Sequence, residues 1–180
     1  MKDIIFRKVE SADAEQFVKL NNFVWRVAYK DIFPEEVFEE RDNFASQKIQ
    51  DFEKIYYNDN TEIVYVAEHD GKIVGLLLGK MESDYNHFKE GDYADLQALY
   101  VHPDYQGQGI ASKLKEIFVE WARKNGATKF VIGVLKDNGK ARNVYEKWGG
   151  RLDKHSQPFE KLGKEYDEVF YTYEIPEKEQ

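Results

Sequence analysis

The chain has 180 residues, enough for one sizeable hydrophobic core and few for two. It contains no cysteine, which removes disulfides, thiolate metal sites and cysteine nucleophiles, and its net charge of −8 repels nucleic-acid phosphate. The longest apolar run, Ile73–Leu78, is broken by Gly75 and cannot span a bilayer, and the opening MKDIIFRKVE has no apolar signal core. These features point to a cytoplasmic protein with no nucleic-acid or membrane partner. The negative charge attracts a cationic small molecule or serves solubility alone. Aromatic residues reach 15%, which suits a lined pocket.

In chain order, Ile4–Val9 reads as a short strand. Ser11 or Asp13 can cap the helix that follows, with Gln16 placed to close a capping box on Asp13. Phe17, Leu20, Val24 and Ala28 form its apolar stripe. Pro34 suits the first turn of a second helix, and Ala45, Ile49, Phe52 and Tyr56 mark a third. The period then changes to that of a strand at Glu62–Glu68. Asp70-Gly71 is a hairpin dipeptide, Ile73–Gly79 returns, and Glu82–Asp92 is a polar loop. Ala94–Val101 is a third apolar strand.

A helix after Gly107–Gly109 should face Ala111, Leu114, Ile117, Phe118, Trp121 and Ala122 inward and stop at Asn125-Gly126. Lys129–Leu135 then runs parallel to Ala94–Val101, because a helix separates them. Ala141, Val144, Tyr145 and Trp148 form a last helical stripe, before two strands near Gly150–His155 and Glu168–Ile175. The order implies an α/β fold with a mixed sheet. Residues 1–175 read as one domain and 176–180 as a loose tail.

The most informative segment is Tyr105-Gln106-Gly107-Gln108-Gly109-Ile110-Ala111, between an apolar strand and an amphipathic helix. Two glycines and an alanine leave backbone N–H groups accessible at a helix N-terminus, which makes a pyrophosphate cradle. The same glycines would equally serve a tight turn and nothing more. There is no G-x-x-x-x-G-K-[ST] phosphate loop, and Ser112 stands where G-x-G-x-x-G needs its third glycine.

Leu99-Tyr100-Val101-His102-Pro103 followed by Gln106-Gly107-Gln108-Gly109-Ile110-Ala111 resembles the acetyl-CoA signature R/Q-x-x-G-x-G/A of the GNAT superfamily of N-acetyltransferases. Gln106 and Ala111 stand where Arg and Gly are commoner. Asn138, Ala141, Tyr145 and Gly149 resemble the family's N-x-x-A-x-x-x-Y-x-x-x-G segment, although Lys147-Trp148-Gly149-Gly150 departs from the usual Gly-Phe pair. The resemblance spans about Val64 to Ile175, with weaker echoes over Trp25–Pro34.

The resemblance implies a single-domain mixed central β-sheet flanked by helices, with splayed strands at an acyl-CoA slot. It implies acetyl-CoA as acyl donor, no metal, and direct transfer in a ternary complex. The acceptor would be a primary amine of a small molecule, a polyamine among them, or of a protein. Backbone groups of Leu99, Tyr100 and Val101 would pair with the pantetheine arm, and Gln106, Gly107, Gln108, Gly109, Ile110 and Ala111 would hold the pyrophosphate. Asn138, Ala141 and Tyr145 would complete the cofactor contacts.

For catalysis, the Leu99 N–H would stabilise the oxyanion, and Tyr145 would protonate the departing thiolate, although its place on an apolar stripe also fits a core tyrosine. Asp95 is a candidate base if it faces the slot rather than solvent. His102, beside Pro103, reads as a turn residue. Trp25-Arg26-Val27-Ala28-Tyr29 and the acidic group Glu35, Glu36, Glu39, Glu40 and Asp42 are candidate acceptor contacts or a solvated helix face. The competing reading is a non-catalytic acyl-CoA sensor or scaffold on the same fold. A homodimer is compatible with either.

Overall fold

A computed structural model describes residues 3–56, 61–89 and 93–177. Residues 90–92 of the polar loop and 178–180 of the tail therefore lie outside it. The chain forms two compact units. One holds the described residues up to Gly79 together with Ala98–Phe118. The other holds Lys80–Gln97 and the described residues from Val119 onward. Among the described residues, seven strands form one sheet in the order β1-β2-β3-β4-β5-β7-β6, mixed in direction as the sequence implied.

In the first unit, β1 (Ile5–Lys8) pairs antiparallel with β2 (Glu62–His69), from Ile5 opposite Glu68 to Lys8 opposite Tyr65. β3 (Lys72–Lys80) returns across Asp70 and Gly71, at φ of 50° and 74°, the positive values a tight primed turn needs. Helices α1 (Ala14–Tyr29), α2 (Glu35–Asn43), α3 (Ala45–Gln50) and α4 (Phe52–Tyr56) supply the other side of the core. Phe17, Leu20 and Val24 pack against Val64, Val66, Ile73 and Leu76. The expected stripe fails at its last member. Ala28 is exposed, although Val24 one turn earlier is buried. The third stripe is split between α3 and α4, yet Ala45, Ile49, Phe52 and Tyr56 still join one core.

The start of α1 also differs from the sequence reading. Asp13 does not pair with Gln16. Its carboxylate accepts from Arg7 at 2.6 and 2.8 Å and from the Glu10 N–H at 2.8 Å. Gln16 instead ties α1 to the hairpin: Nε2 donates to the Gly71 carbonyl and Oε1 accepts from the Ile73 N–H. A long-range partner with two backbone groups to satisfy displaced the local cap.

In the second unit, the first half of β4 (Tyr93–Val101) pairs parallel with β5 (Lys129–Leu135). β7 (Lys164–Glu174) pairs antiparallel with β5 along its length, and β6 (Arg151–Lys161) forms the outer edge. The last two strands run well beyond their expected limits. Pro158 and the charges at the β6 edge masked the alternation, and the turn is Leu162-Gly163 rather than an Asn-Gly or Asp-Gly pair. Helix α5 (Ile110–Lys124) precedes β5, and α6 (Gly139–Lys147) follows it. In α5, Leu114, Phe118 and Ala122 are buried, whereas Ala111, Ile117 and Trp121 are only half-buried. In α6, Val144 departs from the expected stripe and is exposed. Among the described residues, no helix is long and apolar enough to cross a membrane.

Leu162 sits at φ 49°, a left-handed conformation that strains a leucine and suits asparagine. Its side chain is exposed, so a change there removes no core contact. Leu162→Asn is expected to raise unfolding stability by about 0.5–1 kcal/mol in a urea titration with unchanged m-value.

Candidate active site

The glycine turn lies in the first unit. Gly107 and Gly109 adopt φ of 75° and 82°, and a side chain on either would meet no neighbouring atom within 4 Å. The glycines are therefore required by backbone conformation and not by crowding, and they leave an open backbone surface ahead of α5. That surface fits an anionic group. The first N–H groups of α5 have no partners within the helix, and its positive dipole end faces the turn. The Gln106 side chain turns back and donates to the Val101 carbonyl at 3.1 Å, so it braces the turn. Gln108 donates to the Asp104 carbonyl at 3.4 Å. Val101 and Ile110 are buried in the core, which leaves their backbone groups as their only offering. Leu99, Tyr100 and Ala111 are half-buried beside them in the sequence. His102 stacks on Phe23, and its Nδ1 accepts from the Asp104 N–H, so it is a turn residue.

The second unit holds a buried polar chain. The β4–β5 register runs through three pairs, Tyr93–Lys129, Ala94–Phe130 and Asp95–Val131. Among the described residues, Leu96 and Gln97 have no partner on β5, so the strands part after Asp95. Asp95 faces inward with 1% of its surface exposed. Its Oδ2 accepts from the Ser83 hydroxyl at 3.1 Å, and its Oδ1 has no hydrogen-bond partner. Burial pushes the carboxyl up to about 7, against the stabilising effects of the Ser83 hydroxyl, Lys80 and the Asp84 N–H. Lys80 is itself paired with Asp84.

Ser83 also accepts the Tyr85 N–H at 3.1 Å. The Tyr85 hydroxyl donates to Glu168 Oε1 at 3.2 Å, and Gln157 Nε2 donates to Glu168 Oε2 at 2.8 Å. Burial, with the Glu168 and Asp95 carboxyls, raises the phenol, and burial raises Glu168. Tyr85 lies against Gly133 of β5, two residues past the last β4–β5 pair.

On α6, Asn138 caps the helix, its Oδ1 accepting the Ala141 N–H at 3.2 Å. Tyr145 is half-buried, its ring 5.9 Å from both Trp148 and Tyr171, and its carbonyl accepts the Tyr173 hydroxyl at 2.8 Å. Leu99, Tyr100, Val101 and the turn Gln106–Ala111 thus fall in the first unit, and Asp95, Asn138, Ala141 and Tyr145 in the second. Tyr85, Gln157 and Glu168 escaped the sequence reading. Glu168 shares its inward face of β7 with Phe170, and an acid at that position was the legible signal. The expected acidic acceptor group is partly spent: Arg26 pairs with Glu35 and, at 2.9 Å, with Asp42. Trp25 stacks on Phe33 at 5.0 Å and lies beneath the Arg41 guanidinium. Among the described residues, no three His, Asp or Glu side chains are placed to hold a metal ion.

Comparison with known proteins agrees with this architecture. The profile of the Acetyltransferase (GNAT) family matches residues 23–150, most of the chain and parts of both units. The chain belongs to that family. It is 34% identical over 107 residues to an acetyltransferase of Yersinia pestis, covering 59% of this chain and 67% of that protein. It is 32% identical over 100 residues to an uncharacterised N-acetyltransferase of Mycobacterium bovis, covering 54% and 58%.

Among solved structures, it resembles the PaiA N-acetyltransferase of Thermoplasma acidophilum in complex with coenzyme A, with a TM-score of 0.73 and 20% identity over 95% of this chain and 99% of that one. A provisionally assigned acetyltransferase of Salmonella typhimurium, solved with acetyl-CoA, gives 0.64 and 19% identity over 97% and 95%.

A Cβ on Gly133 would overlap the Tyr85 hydroxyl and lie 2.8 Å from Glu168 Oε1. Gly133→Ala is therefore expected to destabilise the fold by about 1–3 kcal/mol in urea titration, and much less in a Tyr85→Ala background, where the space is vacated.

Proposed function

We propose that this GNAT protein transfers the acetyl group of acetyl-CoA directly to a primary amine of a small molecule, within a ternary complex. The observation that carries the reading is Asp95, a buried carboxyl with an unpartnered oxygen at the point where β4 and β5 part. An amine is mostly an ammonium near neutral pH, so a transferase for amines needs such a base. Acetyl-CoA, when bound, supplies an activated thioester. The backbone N–H groups of the turn Gln106–Ala111 would hold its pyrophosphate. Leu99 and Val101 would offer backbone groups to its arm, and Asn138 and Ala141 would flank it from α6.

In this reading Asp95 Oδ1 takes a proton from the incoming ammonium, and the neutral nitrogen forms the new C–N bond. The Leu99 N–H stabilises charge on the carbonyl oxygen. As the C–S bond breaks, Tyr145 gives its phenolic proton to the sulfur. The proton remaining on the new amide nitrogen restores the phenol. The bound base and the proton donor are what separate this reading from a passive acyl-CoA sensor.

The test is acetyl transfer from acetyl-CoA to a panel of primary amines, read as thiol release. Asp95 must be ionised to act, so kcat at saturating amine should rise with pH through an inflection near its carboxyl value of about 7. Burial sets that value first; Lys80 lowers it and the Asp84 carboxylate raises it. Asp95→Asn should lower kcat by about 10²–10⁴-fold and erase the inflection. A folded variant that keeps both removes Asp95 as base.

Tyr145→Phe keeps the ring against Trp148 and Tyr171 and deletes only the hydroxyl. Its kcat should fall by about 10²–10⁴-fold while calorimetric affinity for acetyl-CoA stays within about twofold, because the lost contact forms in the transition state. Wild-type turnover would make Tyr145 a packing residue.

A further inference from the structure

Asp95 is not the only carboxyl sealed inside the second unit. Glu168, on β7, is 8% exposed, and burial raises it as it raises Asp95. Neither carboxylate forms an ion pair among the described residues. Glu168 has only the neutral donors Tyr85 and Gln157, and Asp95 only the neutral donor Ser83 besides the backbone. The cation nearest to Asp95, Lys80, is committed to Asp84. Tyr85 links the two acids: it donates to Glu168, and its phenol lies within the field of Asp95 as well.

Buried carboxyls without a counter-ion are costly to a fold and are rarely kept without use. The Asp95 Oδ1, almost fully buried and without a donor, is a separate sign that a ligand group belongs here. The polar chain also meets β5 at Gly133, where a side chain would block it. Deprotonating one amine uses one carboxylate. The second has no duty in that reaction, and it is held ready to accept by Tyr85 and Gln157.

We infer that Glu168, positioned by Tyr85 and Gln157, binds a second positive charge on the acceptor, so that the acceptor class is a diamine in which Asp95 meets the reacting nitrogen and Glu168 the distal ammonium. This rests on the acetyltransferase reading above. A distal ammonium gives the buried carboxylate the counter-ion the protein does not supply, and it turns an uncompensated charge into a charge-assisted hydrogen bond. It also sets specificity, since an acceptor with an alcohol or a methyl group in that place leaves Glu168 unpaired.

Three acceptors of one chain length isolate the distal group: diaminobutane, aminobutanol and butylamine. Each is assayed by thiol release with acetyl-CoA on the full chain. The wild-type protein should show kcat/KM for diaminobutane at least about tenfold above the other two, the preference residing in KM. That comparison needs no variant and so stands whether or not a substitution folds. Glu168→Gln should bring the ratio of diaminobutane to aminobutanol close to one. Tyr85→Phe, which keeps the ring against Phe170, should lower the ratio partway. A wild-type ratio near one, or a folded Glu168→Gln that keeps the wild-type preference, overturns the inference while transfer to amines upholds the acetyltransferase reading. No transfer to any primary amine overturns both.

Discussion

Two parallel strands that stop pairing leave backbone N–H and C=O groups without partners, and each such group costs about 1–3 kcal/mol if it stays buried and unmet. β4 and β5 create that situation after Asp95 and Val131. β5 meets part of the cost through β7, which pairs with it from Lys129 to Leu135. The sheet can therefore hold β5 firmly although its pairing with β4 ends at Val131. The elements around the parting are fixed by ordinary means: the core beneath β2 and β3 in one unit, and the apolar cluster of Phe88, Val131 and Phe170 in the other. In the proposed reading the backbone of β4 beyond the parting is what an extended ligand would meet as an added strand.

What the sequence showed and hid follows from the range of the interactions concerned. The strand-to-helix turn at Gly107 and Gly109 was legible, because positive φ is a local demand that glycine answers locally. The parallel β4–β5 pair was legible because a helix lies between two apolar runs. The Asp13–Gln16 cap failed for the opposite reason. Gln16 found partners in the β2–β3 turn, more than fifty residues away, and Asp13 turned to Arg7 and the Glu10 N–H, on the strand side of the helix start. Leu162-Gly163 hid the final hairpin, since leucine at positive φ is tolerated there and not announced.

The site divides along the same line. The residues that match the family signature lie in short local motifs, and so they could be named from one stretch of chain. Asp95 could be named but not placed, because nothing near it in sequence says that Ser83 will cover it. Glu168 was missed altogether. Its partners Tyr85 and Gln157 come from a loop and from an edge strand. The one local clue was parity: an acid on the face of β7 that carries Phe170. A charged residue at an inward position of a strand is an anomaly that composition cannot reveal and alternation can.

That anomaly also weighs the candidate charges against one another. The surface acids Glu35 and Asp42 looked like an acceptor patch in the sequence, but they share Arg26 and stand in water, where such pairs contribute about 1 kcal/mol or less. Their negative charge is partly answered before any ligand arrives. Asp95 and Glu168 are the reverse: few in number, shielded from solvent, and met only by neutral donors. In a medium of low effective dielectric, one unanswered carboxylate exerts more force on an arriving cation than several screened ones. The acidic balance of the chain acts on a cation at the surface, whereas the two buried carboxyls would act on one only at short range and out of water.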